Sequence, residues 1–135
     1  MGLPGTGKTA LSDALKSRLP TVYWNADEVR QNINQHLTFT IEDRIKQART
    51  MKFLADKVVE SGRMCIVDFV CPTPETRHAF NADDAFVVWV DRIKAGRFED
   101  TNALFIPPSK FDIHVTDDGR SVEDWADDIA ENFVW

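Results

Sequence analysis

Apolar positions along this chain follow two alternating rhythms, one of helices and one of short buried strands. Leu11, Ala14, Leu15 and Leu19 recur at helical spacing until Pro20 stops the run. Residues 21–24 then form a short stretch of β-formers, and residues 27–37 read as a brief helix. Thr40 is placed to cap a long amphipathic helix over 41–61, with Asp43 three positions after the cap and Gly62 as its stop. Residues 64–70 are an apolar run broken only by Asp68, and residues 85–90 a second run ending at Asp91, as in strands covered on both faces. Residues 92–110 read as irregular and close on Pro107-Pro108; 111–115 is a last short strand and 121–133 a last helix, starting at Ser121 or Val122. This alternation predicts right-handed crossovers and an α/β fold of three layers, α/β/α, around a mostly parallel sheet. Ligands in such sheets gather at the carboxyl ends of the strands, which here carry Asn25, Asp27, Asp68 and Pro72.

Composition narrows the class. At 135 residues, 43% apolar and 28% charged, residues 1–135 read as a single globular domain, and disordered or fibrous classes are excluded. No run approaches the roughly 18 apolar residues of a membrane span, and no basic-then-apolar leader opens the chain, so a cytoplasmic protein with no membrane contact is expected. Cys65 and Cys71 read as reduced thiols. A net charge of −6 disfavours nucleic acid as a general partner. Its distribution says more: residues 30–57 carry six Lys/Arg against three acids, residues 111–135 eight acids against one Arg. An anionic ligand is drawn to the first region.

Residues 2–9, Gly2-Leu3-Pro4-Gly5-Thr6-Gly7-Lys8-Thr9, are a complete G-x-x-x-x-G-K-[ST] loop, followed at once by Ala10 and a helix. Backbone N–H groups of such a loop cradle a phosphate at a helix N-terminus. Lys8 would reach the β- and γ-phosphates of ATP, and the Thr9 hydroxyl would be a ligand of Mg²⁺. The plainer reading, a glycine turn before a helix, leaves the Thr at the metal position unexplained. This loop normally hangs from a buried central strand, whose place here lies between the strands ending at Asp68 and Asp91. That N-terminal strand is missing from the sequence, so the sheet should show a gap about one strand wide, unless its neighbours close over it.

Three further groups could carry chemistry. Asp27, just past the strand at 21–24, could accept a proton from an attacking hydroxyl or hold the metal's water shell, and Arg30 one turn on could grip an anionic acceptor; the plainer reading is a first-turn helix acid and a solvated arginine. Phe39 precedes the long helix and could stack on a base, or staple the helix instead; Arg44 and Gln47 lie i, i+3 and could serve one ligand. Asp68 sits where a Walker-B carboxylate would hold the metal's shell, or else is a capping acid. Cys71 reads as a small buried hydrophobe, Trp24 and Trp89 as core, and His36, His78 and His114 show no metal-ligand spacing.

The spacing of the glycine loop, Asn25-Ala26-Asp27-Glu28-Val29-Arg30, Asn34, Leu37 to Arg44 and Phe69-Val70-Cys71-Pro72 resembles the adenylylsulfate kinases. The resemblance runs to about Arg77 and returns near Phe105-Ile106-Pro107-Pro108. It implies a P-loop kinase that moves the γ-phosphate of ATP to the 3′-hydroxyl of adenylylsulfate, a small-molecule nucleotide acceptor, and that could form a homodimer. It implies Asp27 as the catalytic carboxylate on the acceptor side, Arg30 and Arg44 as grips on the phosphosulfate, Phe39 as stacking partner of the acceptor adenine, and Phe69, Val70, Cys71 and Pro72 as lining. The chain departs from the family pattern at Asn25 and Ala26 (Asp and Gly in Asp-Gly-Asp), at Gln47 (Asn) and at Cys71 (Ser). It carries an acid at Asp68 where the family usually has a non-acid, and a shorter lid region in which Lys94 and Arg97 could neutralise charge during transfer. Other readings are a kinase for a polynucleotide 5′-hydroxyl, a nucleoside or a small alcohol, and a non-catalytic nucleotide-binding module.

Overall fold

The computed structural model describes residues 1–93 and 99–133. In chain order the elements are α1 (Lys8–Lys16), β1 (Thr21–Asn25), α2 (Ala26–Asn32), α3 (Ile41–Glu60), β2 (Met64–Asp68), α4 (Pro74–Phe80), a 3-10 turn (Ala82–Asp84), β3 (Val88–Asp91), α5 (Glu99–Leu104), β4 (Ile113–Thr116) and α6 (Val122–Asn132). All strand pairs are parallel and helices cover both faces, the expected three-layer α/β/α arrangement. On one side α1 and α6 bury Leu11, Leu15, Trp125 and Ile129 against Val90 and Val115. On the other, α2 and α3 bury Val29 and Met51 against Trp24, Val67 and Phe69. Arg18 pins α1 to α6 through Glu123 (2.7 Å) and Asp127 (2.6 Å).

The strands form two pairs, β1 with β2 and β3 with β4, so the predicted gap is there. Met1 and Gly2 together span it. The Met1 ammonium donates to the Val88 carbonyl (2.8 Å) and the Met1 carbonyl accepts from Val90 N–H (2.8 Å). Gly2 N–H reaches Val70 carbonyl on the other pair at 3.4 Å. Burial, then the nearby Lys8 charge, pushes the Met1 amine down to about 6. Beyond Met1 the pairs part around a cavity of about 770 Å³, lined among others by Leu11, Leu15, Ile66, Val88 and Ile129.

Several boundaries differ from expectation. Helix α2 ends at Asn32 rather than 37, and β3 begins at Val88 because the apolar residues 85–87 precede the paired stretch. Helix α4 was not expected; Thr73 caps it in a full capping box with Pro74 opening the first turn. Within the segment read as irregular, α5 forms at Glu99–Leu104. Thr40 caps α3 as expected, but the Asp43 carboxylate turns to Thr38 N–H (2.8 Å) and Oγ1 (2.7 Å) instead of closing the box. Trp24 packs in the core, whereas Trp89 stacks on its register partner His114 (4.0 Å) outside the α1–α6 core. Lys94 and Arg97 lie outside the described residues.

Candidate active site

The loop from Gly2 to Thr9 runs from the Met1 bridge into α1. Two positions explain its glycines. A Cβ on Gly2 would stand 2.2 Å from the Val90 carbonyl oxygen, a backbone atom that cannot swing away. Gly7 caps α1 at φ +97°, a left-handed conformation that side chains resist. Thr6, nearly fully buried, ties the loop to β3: its hydroxyl lies 3.4 Å from the Val90 carbonyl and accepts from Arg92 N–H at 3.1 Å. Lys8 Nζ lies across the loop on the Leu3 carbonyl (3.0 Å). The loop is thus held by β3 and by its own lysine, although no full strand supports it.

Thr9 leads to the second part of the site. Its hydroxyl donates to Asp68 Oδ2 (3.1 Å), and the same oxygen accepts from Tyr23 OH (2.6 Å) and Asn25 Nδ2 (3.2 Å). Asp68 ends β2 and is nearly fully buried; Asn25 is its register partner at the end of β1. Tyr23, two residues back on the same strand face, reaches the carboxylate diagonally. Burial first, then the bond to Asp68, pushes the Tyr23 phenol up to about 12, so it remains a donor. A buried carboxylate beside the loop threonine offers only oxygens, the donor type that suits Mg²⁺, which takes few protein ligands and completes its shell with phosphates and water. The residues fit that ion. The hydrogen-bond donors to Asp68 among the described residues are all side chains, so it caps no loop N–H.

Asn25 also leads to the second group of candidate residues. Its Oδ1 accepts from Glu28 N–H (3.1 Å), capping α2, which carries Asp27 and Arg30. Asp27 is exposed, with Oδ1 3.2 Å from Arg30 Nη1. The Arg30 guanidinium lies 4.5 Å over the Phe39 ring, and that of Arg44 lies 5.4 Å from the same ring. Phe39 is 62% exposed and lies outside both core clusters, so it does not act as a staple; its ring stands beside two cations. Arg44 is oriented by the Phe39 carbonyl (2.9 Å) and by Thr101 Oγ1 (3.0 Å) from α5. Arg30 Nε is buried without a hydrogen-bond partner among the described residues.

Gln47 departs from expectation. It is buried, donates to the Ala26 carbonyl (3.1 Å) and accepts from Asn34 Nδ2 (2.9 Å), so it braces α2 against α3 instead of sharing a ligand with Arg44. The 69–72 stretch is largely structural too. Phe69 packs on Phe80 (5.3 Å), Cys71 and Pro72 are buried, and the Pro72 carbonyl accepts from Ile106 N–H (2.7 Å). Burial pushes both free thiols up, that of Cys65 to about 11. Arg77 straps the segment 105–106, donating to the Cys71 carbonyl (3.2 Å) and to the Ile106 carbonyl. Tyr23, Asn25 as a donor, and Thr101 were not anticipated; the two-residue spacing of Tyr23 and Asn25 was the available signal for a shared strand face.

The profile of the adenylylsulphate kinase family matches residues 1–94, the span that holds the glycine loop, Asp27, Arg30, Phe39, Arg44 and Asp68. The chain belongs to that family. Among curated relatives, the bifunctional enzyme CysN/CysC of Xylella fastidiosa is 27% identical over 95% of this chain and a quarter of its own length. An adenylyl-sulfate kinase of Oceanobacillus iheyensis is 33% identical over 64% of this chain and 47% of its own. The chain thus spans from a quarter to about half of these relatives. The APS kinase CysC of Mycobacterium tuberculosis, solved in complex with AMPPNP and APS, superposes with a TM-score of 0.85 at 21% identity, covering 97% of this chain and 92% of that one. A sugar kinase from Janibacter shares the fold at a TM-score of 0.77 and 16% identity. No helix among the described residues is long and apolar enough to cross a membrane.

Proposed function

We propose that this chain transfers the γ-phosphate of ATP to the 3′-hydroxyl of adenylylsulfate with Mg²⁺ as cofactor. The observation that carries the acceptor's identity is Phe39 beside Arg30 and Arg44: an exposed ring with two guanidiniums within reach suits an adenine joined to an anionic phosphosulfate. The buried, unpartnered Nε of Arg30 adds a donor for that anion. The family relationship supports the same choice.

The roles follow from placement. The loop from Gly2 to Ala10 binds the triphosphate, with backbone N–H groups and the Lys8 ammonium on the β- and γ-phosphates. Thr9 and Asp68 would hold Mg²⁺ and its water shell. The ion, when bound, neutralises charge on the transferring group. Asp27 takes the proton of the 3′-hydroxyl as that oxygen bonds to the γ-phosphorus and ADP leaves with the bridging oxygen. Arg30 holds Asp27 in place and, with Arg44 and Phe39, orients the acceptor. Phe69 and Val70, partly buried, and the buried Cys71 and Pro72 would contribute shape rather than polar contacts to the acceptor site. Two free thiols accord with a reducing cytoplasmic setting.

The test is a coupled assay with ATP, Mg²⁺ and adenylylsulfate beside a panel of other acceptors. Formation of 3′-phosphoadenylylsulfate that is lost in Lys8→Ala supports the reading. Transfer to another alcohol, or none above that control, rejects it.

A further inference from the structure

We propose that the last rung between β1 and β2 works as a one-acid, one-amide unit: Asp68 supplies the only carboxylate of the rung, and Asn25 and Tyr23 are the positioning residues it requires. The proposal rests on the phosphate-loop reading of the site but not on the acceptor's identity. Asn25 and Asp68 face each other in register, with Asn25 Nδ2 3.2 Å from Asp68 Oδ2. An acid at both positions would set two carboxylates at that distance, and one would have to take up a proton. An amide at both would leave no anion near Thr9. One of each satisfies the rung.

The donors fall on one side of the acid. Thr9 Oγ1, Tyr23 OH and Asn25 Nδ2 all bond Oδ2, and no hydrogen bond among the described residues reaches Oδ1. Three fixed donors lock the plane of the carboxylate and leave its second oxygen for an ion's water shell. Tyr23 is held in turn by Asn25 Nδ2 (3.4 Å) and lies under the Lys16 ammonium, 5.1 Å from the ring. The Asn25 amide serves two sides at once. Its nitrogen orients Asp68 beside the phosphate loop, and its oxygen caps α2, the helix of Asp27 and Arg30. Aspartate could do the second task but not the first.

Because the rung partners face each other, the carboxylate should function from either strand. Calorimetric binding of AMPPNP with and without Mg²⁺ is measured for wild type, Asn25→Asp, Asp68→Asn and the exchanged double variant, with thermal unfolding to confirm each fold. Each single variant should lose about tenfold or more of the Mg²⁺-dependent gain in affinity, the scale of a charged hydrogen bond. Binding without Mg²⁺ should stay within about threefold, and the exchanged pair should regain most of the loss. Tyr23→Phe should lower only the Mg²⁺-dependent part, whereas a merely structural tyrosine would weaken both conditions and lower the melting temperature. A double variant no better than the weaker single, an Asn25→Asp protein equal to wild type, or wild-type binding indifferent to Mg²⁺ overturns the proposal. Failure to phosphorylate adenylylsulfate beside a positive exchange result would reject the acceptor assignment and leave the rung intact.

Discussion

Replacing Phe39 by alanine separates acceptor recognition from everything else in the molecule. The ring is 62% exposed and its neighbours are two cations, so the fold gains little from it. Two exposed cation–π contacts at about 0.5–1 kcal/mol each bound the stability loss at about 1–2 kcal/mol. For a domain of this size that lowers the melting temperature by only several degrees. Stacking on a base contributes about 1–3 kcal/mol per base, so the KM for adenylylsulfate should rise between about fivefold and about 150-fold. The KM for ATP should not move, because the glycine loop and Asp68 make no contact with this ring. Steady-state kinetics with each substrate varied in turn, beside a thermal melt, supply all three numbers. Phe39→Trp should restore acceptor affinity, and Phe39→Leu should not. A rise in the KM for ATP with that for adenylylsulfate unchanged would refute the placement of the acceptor.

Further outcomes follow from the same geometry. Tyr23 is the chain's single tyrosine, so phenolate absorbance reads it alone; its native midpoint should lie near 12, mainly through burial, and fall only part of the way in Asp68→Asn, while a midpoint unchanged in that variant would remove Tyr23 from the carboxylate. Since the folded value is raised, its stabilising contribution is complete below pH 10 and is lost as pH rises through 12, a loss that Tyr23→Phe should abolish in alkaline denaturant melts. Gln47→Leu removes two buried hydrogen bonds, to the Ala26 carbonyl and from Asn34, and should cost about 1–3 kcal/mol in urea unfolding, with the KM for adenylylsulfate unchanged below the melt; a selective rise in that KM would return Gln47 to the acceptor site. Gly2→Ala drives a Cβ into the Val90 carbonyl and should weaken AMPPNP binding by more than about tenfold; calorimetry showing wild-type affinity would contradict the role given to this turn.

Motifs whose chemistry is local were legible before any coordinates. The glycine loop, the Thr40 cap, the Gly62 stop and the vacancy between the strands ending at Asp68 and Asp91 all follow from spacing and fold logic. What eluded the sequence depends on which way a side chain turns. Gln47 stands at a spacing that suits a ligand-binding partner for Arg44, but periodicity does not reveal that Asn34 and Ala26 claim its amide from within. The Asn25–Asp68 rung needs strand register, which a chain of short apolar runs leaves open. Helix α4 was readable in principle, since Thr73-Pro74-Glu75-Thr76 combines an N-cap, a proline in the first turn and a reciprocal third position. The resemblance at Asp27, Arg30, Phe39 and Arg44 anticipated residues that the fold brings together around one ring.

A phosphate loop held by β3 and bridged by Met1 and Gly2 should still position ATP against an adenylylsulfate gripped at Phe39. Incubation of the chain with γ-labelled ATP, Mg²⁺ and adenylylsulfate, followed by separation of the nucleotides, tests it directly. Label should appear on the 3′-oxygen of adenylylsulfate, and it should vanish in both Lys8→Ala and Asp27→Asn. Label that stays in ATP, or that passes to another acceptor in preference, would contradict this placement of the two substrates.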